Sequence, residues 1–471
     1  MTKKTFLTLI SLLSTQLIFA QLFPYEPDKW DENYTYEKFR DDFQGTSLDL
    51  EKWHLTTDYG RSACIFLDSV GVTYWVNNGY LNLKMLYFPG YQYTDKGVTH
   101  YPDYISSEIS TNQSYKYGIY EGRMKFASGT GSWPAFWFFG GSGADDPQYN
   151  SGYASEIDFA ELNWRYTSSS TDHVFHWWTP NGQQESIFNG EHNTNVNWSG
   201  WHTFKVIYRP YDVKFYIDGI GSWQRSRFYY LVPIAGTWFP IDKFIEQINA
   251  GDSYPEWEWF PKHAGAIILS QQVSNHVNNP IVQPQTTLFD WVSYREFFDT
   301  PEITVPELVC SNSSETATLD VDERASNITW TLSPSNMFTT TSGSGSTANI
   351  VTSYSANGTG AITYSFEMPS GETFTKSKAF WVGTPVITGL DGPTYVPTNV
   401  DTRYYPLYEY QYDSPTNFEW NVSPYEDVTY NSYGWSTLVN FYNPDYYRII
   451  YRGLNTCGWG DWYMSDFYLR L

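Results

Sequence analysis

Across residues 21–298 large apolar side chains come in short runs, broken every few positions by Gly, Asn, Asp or Pro. In 117–126, 135–139, 173–178, 201–207 and 213–217 apolar and polar residues partly alternate, so each run can bury one face of a strand. Such runs follow one another without helical periods between them, which predicts an all-β sandwich or barrel rather than alternating β and α units. The one helical spacing is Ile241, Phe244, Ile245 and Ile248, at i, i+3, i+4 and i+7 directly after Pro240, and it predicts one short helix.

After Phe298 the texture changes to strands rich in Ser, Thr and Asn. The run Asn327-Ile328-Thr329-Trp330-Thr331-Leu332-Ser333-Pro334 recurs as Asn417-Phe418-Glu419-Trp420-Asn421-Val422-Ser423-Pro424. The chain is therefore expected to end in two copies of one unit, 303–385 and 386–471, each the size of a small immunoglobulin-like β-sandwich with a buried Trp in an early strand. Neither Cys310 nor Cys457 has a mate within its own copy, so both are expected as free buried thiols.

Residues 1–20 carry Lys3 and Lys4, then an apolar run from Leu9 to Phe19, then Ala20. That is the pattern of a secretory signal peptide cleaved after Ala20, and it predicts an extracellular protein. No later stretch is apolar for long enough to span a bilayer, so no membrane insertion is expected. Aromatics make up 20% of the chain, which gives ample surface to bury and argues against wholesale disorder. The formal net charge of −23 argues against nucleic acid or an anionic membrane as partner.

The candidate chemistry lies in Ser155-Glu156-Ile157-Asp158-Phe159-Ala160-Glu161-Leu162, with three carboxylates in six residues of a strand-like stretch. Period two puts Glu156 and Asp158 on one face and Glu161 on the other. A β-bulge between Asp158 and Glu161 would return Glu161 to the face of its partners. Without it, Glu161 would be a charge facing the opposite sheet, at a cost of several kcal/mol, on the order of that for a buried ion. The apolar flanks Ile157, Phe159 and Leu162, and the preceding run from Trp133 to Gly140, mark an internal strand.

This bulged Glu-x-Asp-x-x-Glu run resembles glycoside hydrolase family 16, the clan of laminarinases, lichenases, agarases and carrageenases. The likeness extends in order over roughly residues 35–298: Asp42-Phe43 with Trp53, Asn78-Gly79-Tyr80-Leu81, Tyr117-Gly118 with Glu121 and Arg123, Gly131 through Trp137, Trp201-His202-Thr203-Phe204, Phe215-Tyr216-Ile217-Asp218-Gly219, and Phe289-Asp290-Trp291-Val292. It implies a concanavalin-like β-jelly-roll catalytic domain over 21–300. The tandem terminal copies resemble the PKD-like or immunoglobulin-like modules of secreted bacterial glycanases. The activity implied is a retaining endo-glycosidase, with Glu156 as nucleophile, Glu161 as general acid and then base, and Asp158 bonded to the nucleophile. Two carboxyl groups about 5–5.5 Å apart favour direct attack, since no water fits between sugar and base.

A glycan cleft needs aromatic planes and polar hands near its acids. The candidates are Trp133, Trp137, Trp164 and Trp178, with Trp177 on the other face of its strand, and Arg165. The resemblance adds a histidine from the following strand, His173 or His176, the latter sharing a face with Trp178. It also implies a structural calcium ion held by Asp290, the Gly79 carbonyl and Asp42, with no cofactor for catalysis; hard oxygen ligands suit that ion. The expected substrate is a β-1,3 or mixed-linkage glucan, met by a monomer. The alternatives are a sulfated galactan gripped by Arg165, Arg225 and Arg227, or a non-catalytic glycan-binding lectin.

Overall fold

The computed structural model describes residues 30–468 apart from 58, 62–63, 96, 128–130, 141–154, 163–169, 179–183, 189–191, 194–199, 211, 227–228, 235–236, 243–262, 274–284, 394, 410–414 and 444. The chain divides into two compact units, Met1–Phe298 and Asp299–Leu471. Both are built of strands, and among the described residues no helix is long and apolar enough to cross a membrane.

The first unit is a sandwich of two largely antiparallel sheets, of 11 and 8 described strands. The larger sheet has Gly118–Lys125 and Gln285–Phe297 at its centre. The smaller runs in the order Gln184–Phe188, Ser170–Trp178, Ser155–Glu161, Ser132–Gly140, Ala266–Val273, Glu108–Thr111 and Trp53–Leu55. Alternation decides which side chains meet between the sheets. Phe136, Phe138, Ile157, Phe175, Ile267 and Leu269 from the smaller sheet join Tyr120, Phe204, Phe215 and Tyr294 from the larger in one core. Each large apolar side chain buried there contributes about 1.5–3 kcal/mol. Ala135, Trp137 and Ile268, one residue out of phase, form a separate cluster on the opposite face.

Close backbone approach fixes one end of this arrangement. A Cβ on Gly265 would lie 2.3 Å from the carbonyl oxygen of Phe139, so only glycine fits where these strands meet.

The helix expected from Ile241 does not begin there. Thr237–Asp242 is a strand paired with Tyr229–Ile234, and residues 243–248 lie outside the described ones. Strand pairing of β-branched and aromatic residues on both sides of Pro240 overrides a spacing that had only four positions to recommend it.

In the second unit the repeated runs form equivalent strands, Ser326–Ser333 and Asn417–Ser423, each followed by a 3-10 turn. Trp330 and Trp420 are both buried, Trp420 stacked on Tyr451 at 4.8 Å. The cysteines correct the sequence reading: Cys310 and Cys457 form a disulfide across 147 positions, and the free buried thiol is Cys64. Each copy carries one of the two cysteines, and the bond ties the first copy to the second. Beside it Asn455 donates from Nδ2 to the Gly383 carbonyl at 3.0 Å, and its Oδ1 accepts from the Cys457 N–H.

Candidate active site

Ser155–Glu161 runs between Ser132–Gly140 and Ser170–Trp178, buried throughout except at half-buried Glu161. Asp158 lies opposite Val174 and Glu161 opposite Asp172, so three steps on one strand match two on its neighbour. On the other side Asp158 faces Trp137 and Ala160 faces Phe136, which again leaves one residue extra. This is the bulge the acid spacing required. It sends both Phe159 and Ala160 into the core and brings Glu161 to the face of Asp158.

His173 secures the bulge from inside. Its Nδ1–H donates to the Phe159 carbonyl at 2.7 Å, its Nε2 accepts from the Ser222 hydroxyl at 2.8 Å, and its ring stacks on Phe215 with centroids 4.6 Å apart. A bulge takes peptide groups out of the ladder, and a buried carbonyl left unmatched costs about 1–3 kcal/mol. Thr171 adds a bond from its hydroxyl to the Glu161 carbonyl at 3.2 Å. Of the two histidines the resemblance offered, His173 is therefore the core one. His176, opposite Glu156, is the one among the acids, with Nε2 3.3 Å from Asp158 Oδ2.

Trp133 does something other than offer a bare plane: its indole N–H donates to Glu161 Oε1. Removal from water pushes the Glu161 carboxyl well above the usual carboxylate range, and the charge of Asp158 raises it further. The Trp133 N–H and His176 pull it down, while Asp172 adds to the rise. Asp172 is a fourth acid that the sequence reading missed, because only the bulged register places it opposite Glu161.

Trp137 corrects an expectation. At 3% exposure, with its N–H on Ser270 Oγ at 3.2 Å and its ring packed with Ala135 and Ile268, it forms floor rather than an open stacking surface. Trp164, Arg165 and Arg227 lie outside the described residues, as do the side chains of Trp177, Trp178 and Arg225.

The expected calcium set does not fit either. Asp290 is paired with Arg123, and Asp42 with Arg40 at 2.6 Å, so each acid already faces a guanidinium. Gly79 keeps the left-handed turn that only a residue without Cβ adopts freely, at φ +77°, and the nearby Gln44 side chain is tied back to the chain through its amide nitrogen. That nitrogen donates to the Asp42 carbonyl at 2.9 Å. Among the described residues, the one group of three or more acids, histidines or cysteines whose ligand atoms all lie within 4.8 Å of one another is Glu156, Asp158 and His176, which belongs to the acid array itself.

Residues 54–227 match the family described as Glycosyl hydrolases family 16. The chain is 29% identical over 202 residues to glucan endo-1,3-beta-glucosidase A1 of Niallia circulans, covering 38% of this chain and 28% of that protein. It is 27% identical over 145 residues to the kappa-carrageenase of Pseudoalteromonas carrageenovora, covering 28% of this chain and 36% of that protein. The chain thus spans about a third of the length of these two relatives. Among solved structures, the catalytic domain of an endo-1,3-beta-glucanase (laminarinase) from Thermotoga petrophila aligns with a TM-score of 0.41 and 19% identity, covering 56% of this chain and 98% of that one.

Proposed function

We propose that the family 16 glycosyl hydrolase domain this chain carries is a retaining endo-glycanase, acting on a neutral β-1,3 or mixed-linkage glucan. The observation that carries the reaction type is the bulged strand, which sets a carboxyl held toward its protonated form beside a crowd of carboxylates. Glu161 protonates the glycosidic oxygen as Glu156 attacks the anomeric carbon, which releases the leaving sugar and forms a glycosyl ester on Glu156. That ester removes the charge of Glu156 from the array. Glu161, now ionised, takes a proton from water as the water attacks the same carbon, and Glu156 leaves as carboxylate. Asp158, with His176 beside it, steadies the nucleophile.

Similarity to a glucanase over the longer segment supports the glucan, and a net charge of −23 disfavours a polyanion. Similarity to a kappa-carrageenase favours the second reading, a sulfated galactan. Export by the leader 1–20 suits both, and the Cys310–Cys457 disulfide suits an oxidising compartment. The test is a product screen of the full chain on laminarin, lichenan, agarose, porphyran and κ-carrageenan. Oligosaccharides from laminarin or lichenan are expected; products from sulfated polymers alone would replace the glucan with the galactan.

The general-acid role carries a pH signature. Glu161 must be protonated to act, so kcat/KM is expected to fall as pH rises through a value above the ordinary carboxylate range. Trp133→Phe removes a donor that favours the charged form, so this alkaline limb is expected to move to higher pH. A limb that stays in place would assign it to another group.

A further inference from the structure

We infer that Gln272 is a substrate-binding residue whose side-chain carbonyl receives a free sugar hydroxyl beside Glu161. The inference rests on the glycanase reading of this face. Gln272 lies directly opposite Trp133 in the pairing of Ala266–Val273 with Ser132–Gly140, and Trp133 holds Glu161. The side of the sheet it occupies follows from its neighbour. Gln271 accepts from the Thr287 hydroxyl at 2.6 Å, and Thr287 belongs to Gln285–Phe297 in the opposite sheet, so Gln271 faces the core. Successive residues on a strand point to opposite faces, and Gln272 faces the acids.

There its Nε2 donates to Ser270 Oγ at 3.2 Å, and the same oxygen accepts from the Trp137 indole at 3.2 Å. The amide is pinned at its nitrogen end. Its Oε1 meets no donor, in a residue 3% exposed. The large majority of buried polar atoms are matched, so an open one calls for an explanation, and on the face that carries the acids a ligand group supplies one. A sugar ring lying on half-exposed Trp133 carries hydroxyls at its rim, and a hydroxyl is a donor. A sulfate ester at that position offers only acceptor oxygens and would face Oε1 with nothing to share. Gln272 therefore selects a unit whose hydroxyl there is unsubstituted.

The test starts from whichever of the five screened polymers the wild type cleaves, and uses its purified oligosaccharide products as probe. Binding is measured by calorimetry on full-length Glu156→Gln, alone and combined with Gln272→Met or Gln272→Glu. The expected result is affinity weakened at least roughly tenfold by Gln272→Met, with no fall in melting temperature, and largely restored by Gln272→Glu, which keeps an acceptor at the same reach. Equal affinity in the Gln272→Met variant overturns the inference. So does a lowered melting temperature in that variant, which marks an amide held for structure. If the wild type cleaves none of the polymers, the glycanase reading fails first and this inference falls with it, a result distinct from failure at the binding step.

Discussion

Glu156→Ala is expected to leave a folded protein that releases no measurable product from the polymer the wild type cleaves, a loss of at least roughly 10⁴-fold in kcat. Among the described acids of this face, Asp158 is held beside His176, Glu161 is engaged by Trp133 and Asp172 lies opposite Glu161, which leaves Glu156 to form the glycosyl ester. The fold should not suffer, because the substitution removes one of several crowded acids and relieves repulsion among the rest. Glu161→Ala is expected to cost about 10²- to 10⁴-fold on the natural polymer, the usual worth of a positioned proton donor. Its deficit should shrink on an aryl glycoside, whose leaving group needs no proton. Azide supplied to Glu161→Ala should speed breakdown of the ester and yield a glycosyl azide of retained configuration, whereas in Glu156→Ala it should attack directly and give the inverted one. Product configuration by NMR reads both outcomes, and the opposite pattern would exchange the roles of the two residues.

The second large effect concerns stability alone. Removing the disulfide by Cys310→Ser together with Cys457→Ser is expected to lower the melting temperature of the unit Asp299–Leu471 by about 6–12 °C, matching roughly 3 kcal/mol for a unit of this size. The bond joins cysteines 147 residues apart, a separation for which unfolded-chain entropy alone gives an upper bound of about 5 kcal/mol. Native contacts beside the bridge, such as Asn455 to Gly383, persist without it and soften the loss. Differential scanning calorimetry of the oxidised and substituted proteins reads the shift, with polymer cleavage expected to be unchanged. A shift below about 2 °C would show that the two copies hold each other without the bond.

The acid strand was legible because its chemistry and its geometry are local: three carboxylates, apolar flanks, and a spacing that demanded one extra residue between Asp158 and Glu161. What period two leaves open is which partner strand fixes the phase. His173 and His176 look alike in the sequence, and only pairing through the bulge sends one to Phe215 and the other to Asp158. Trp133 and Trp137 likewise share a strand and a face, yet one reaches Glu161 and the other packs under it on Ile268. Asp42 and Asp290 kept the residue types of a calcium site, but Arg40 and Arg123 reach them first, which spacing along the chain does not reveal. The disulfide escaped for the same reason, being a statement about distance in space between residues far apart in sequence.

The bulge also has a consequence for how this site ages and fails. Because it turns two successive residues inward, Glu161 is joined without any slack to Phe159 and Ala160, and through the Phe159 carbonyl to His173 and Phe215. Loss of packing at Phe159, worth about 3–5 kcal/mol, would reach the proton donor as directly as damage to the donor itself. The interior of the sandwich is in this sense part of the catalytic apparatus.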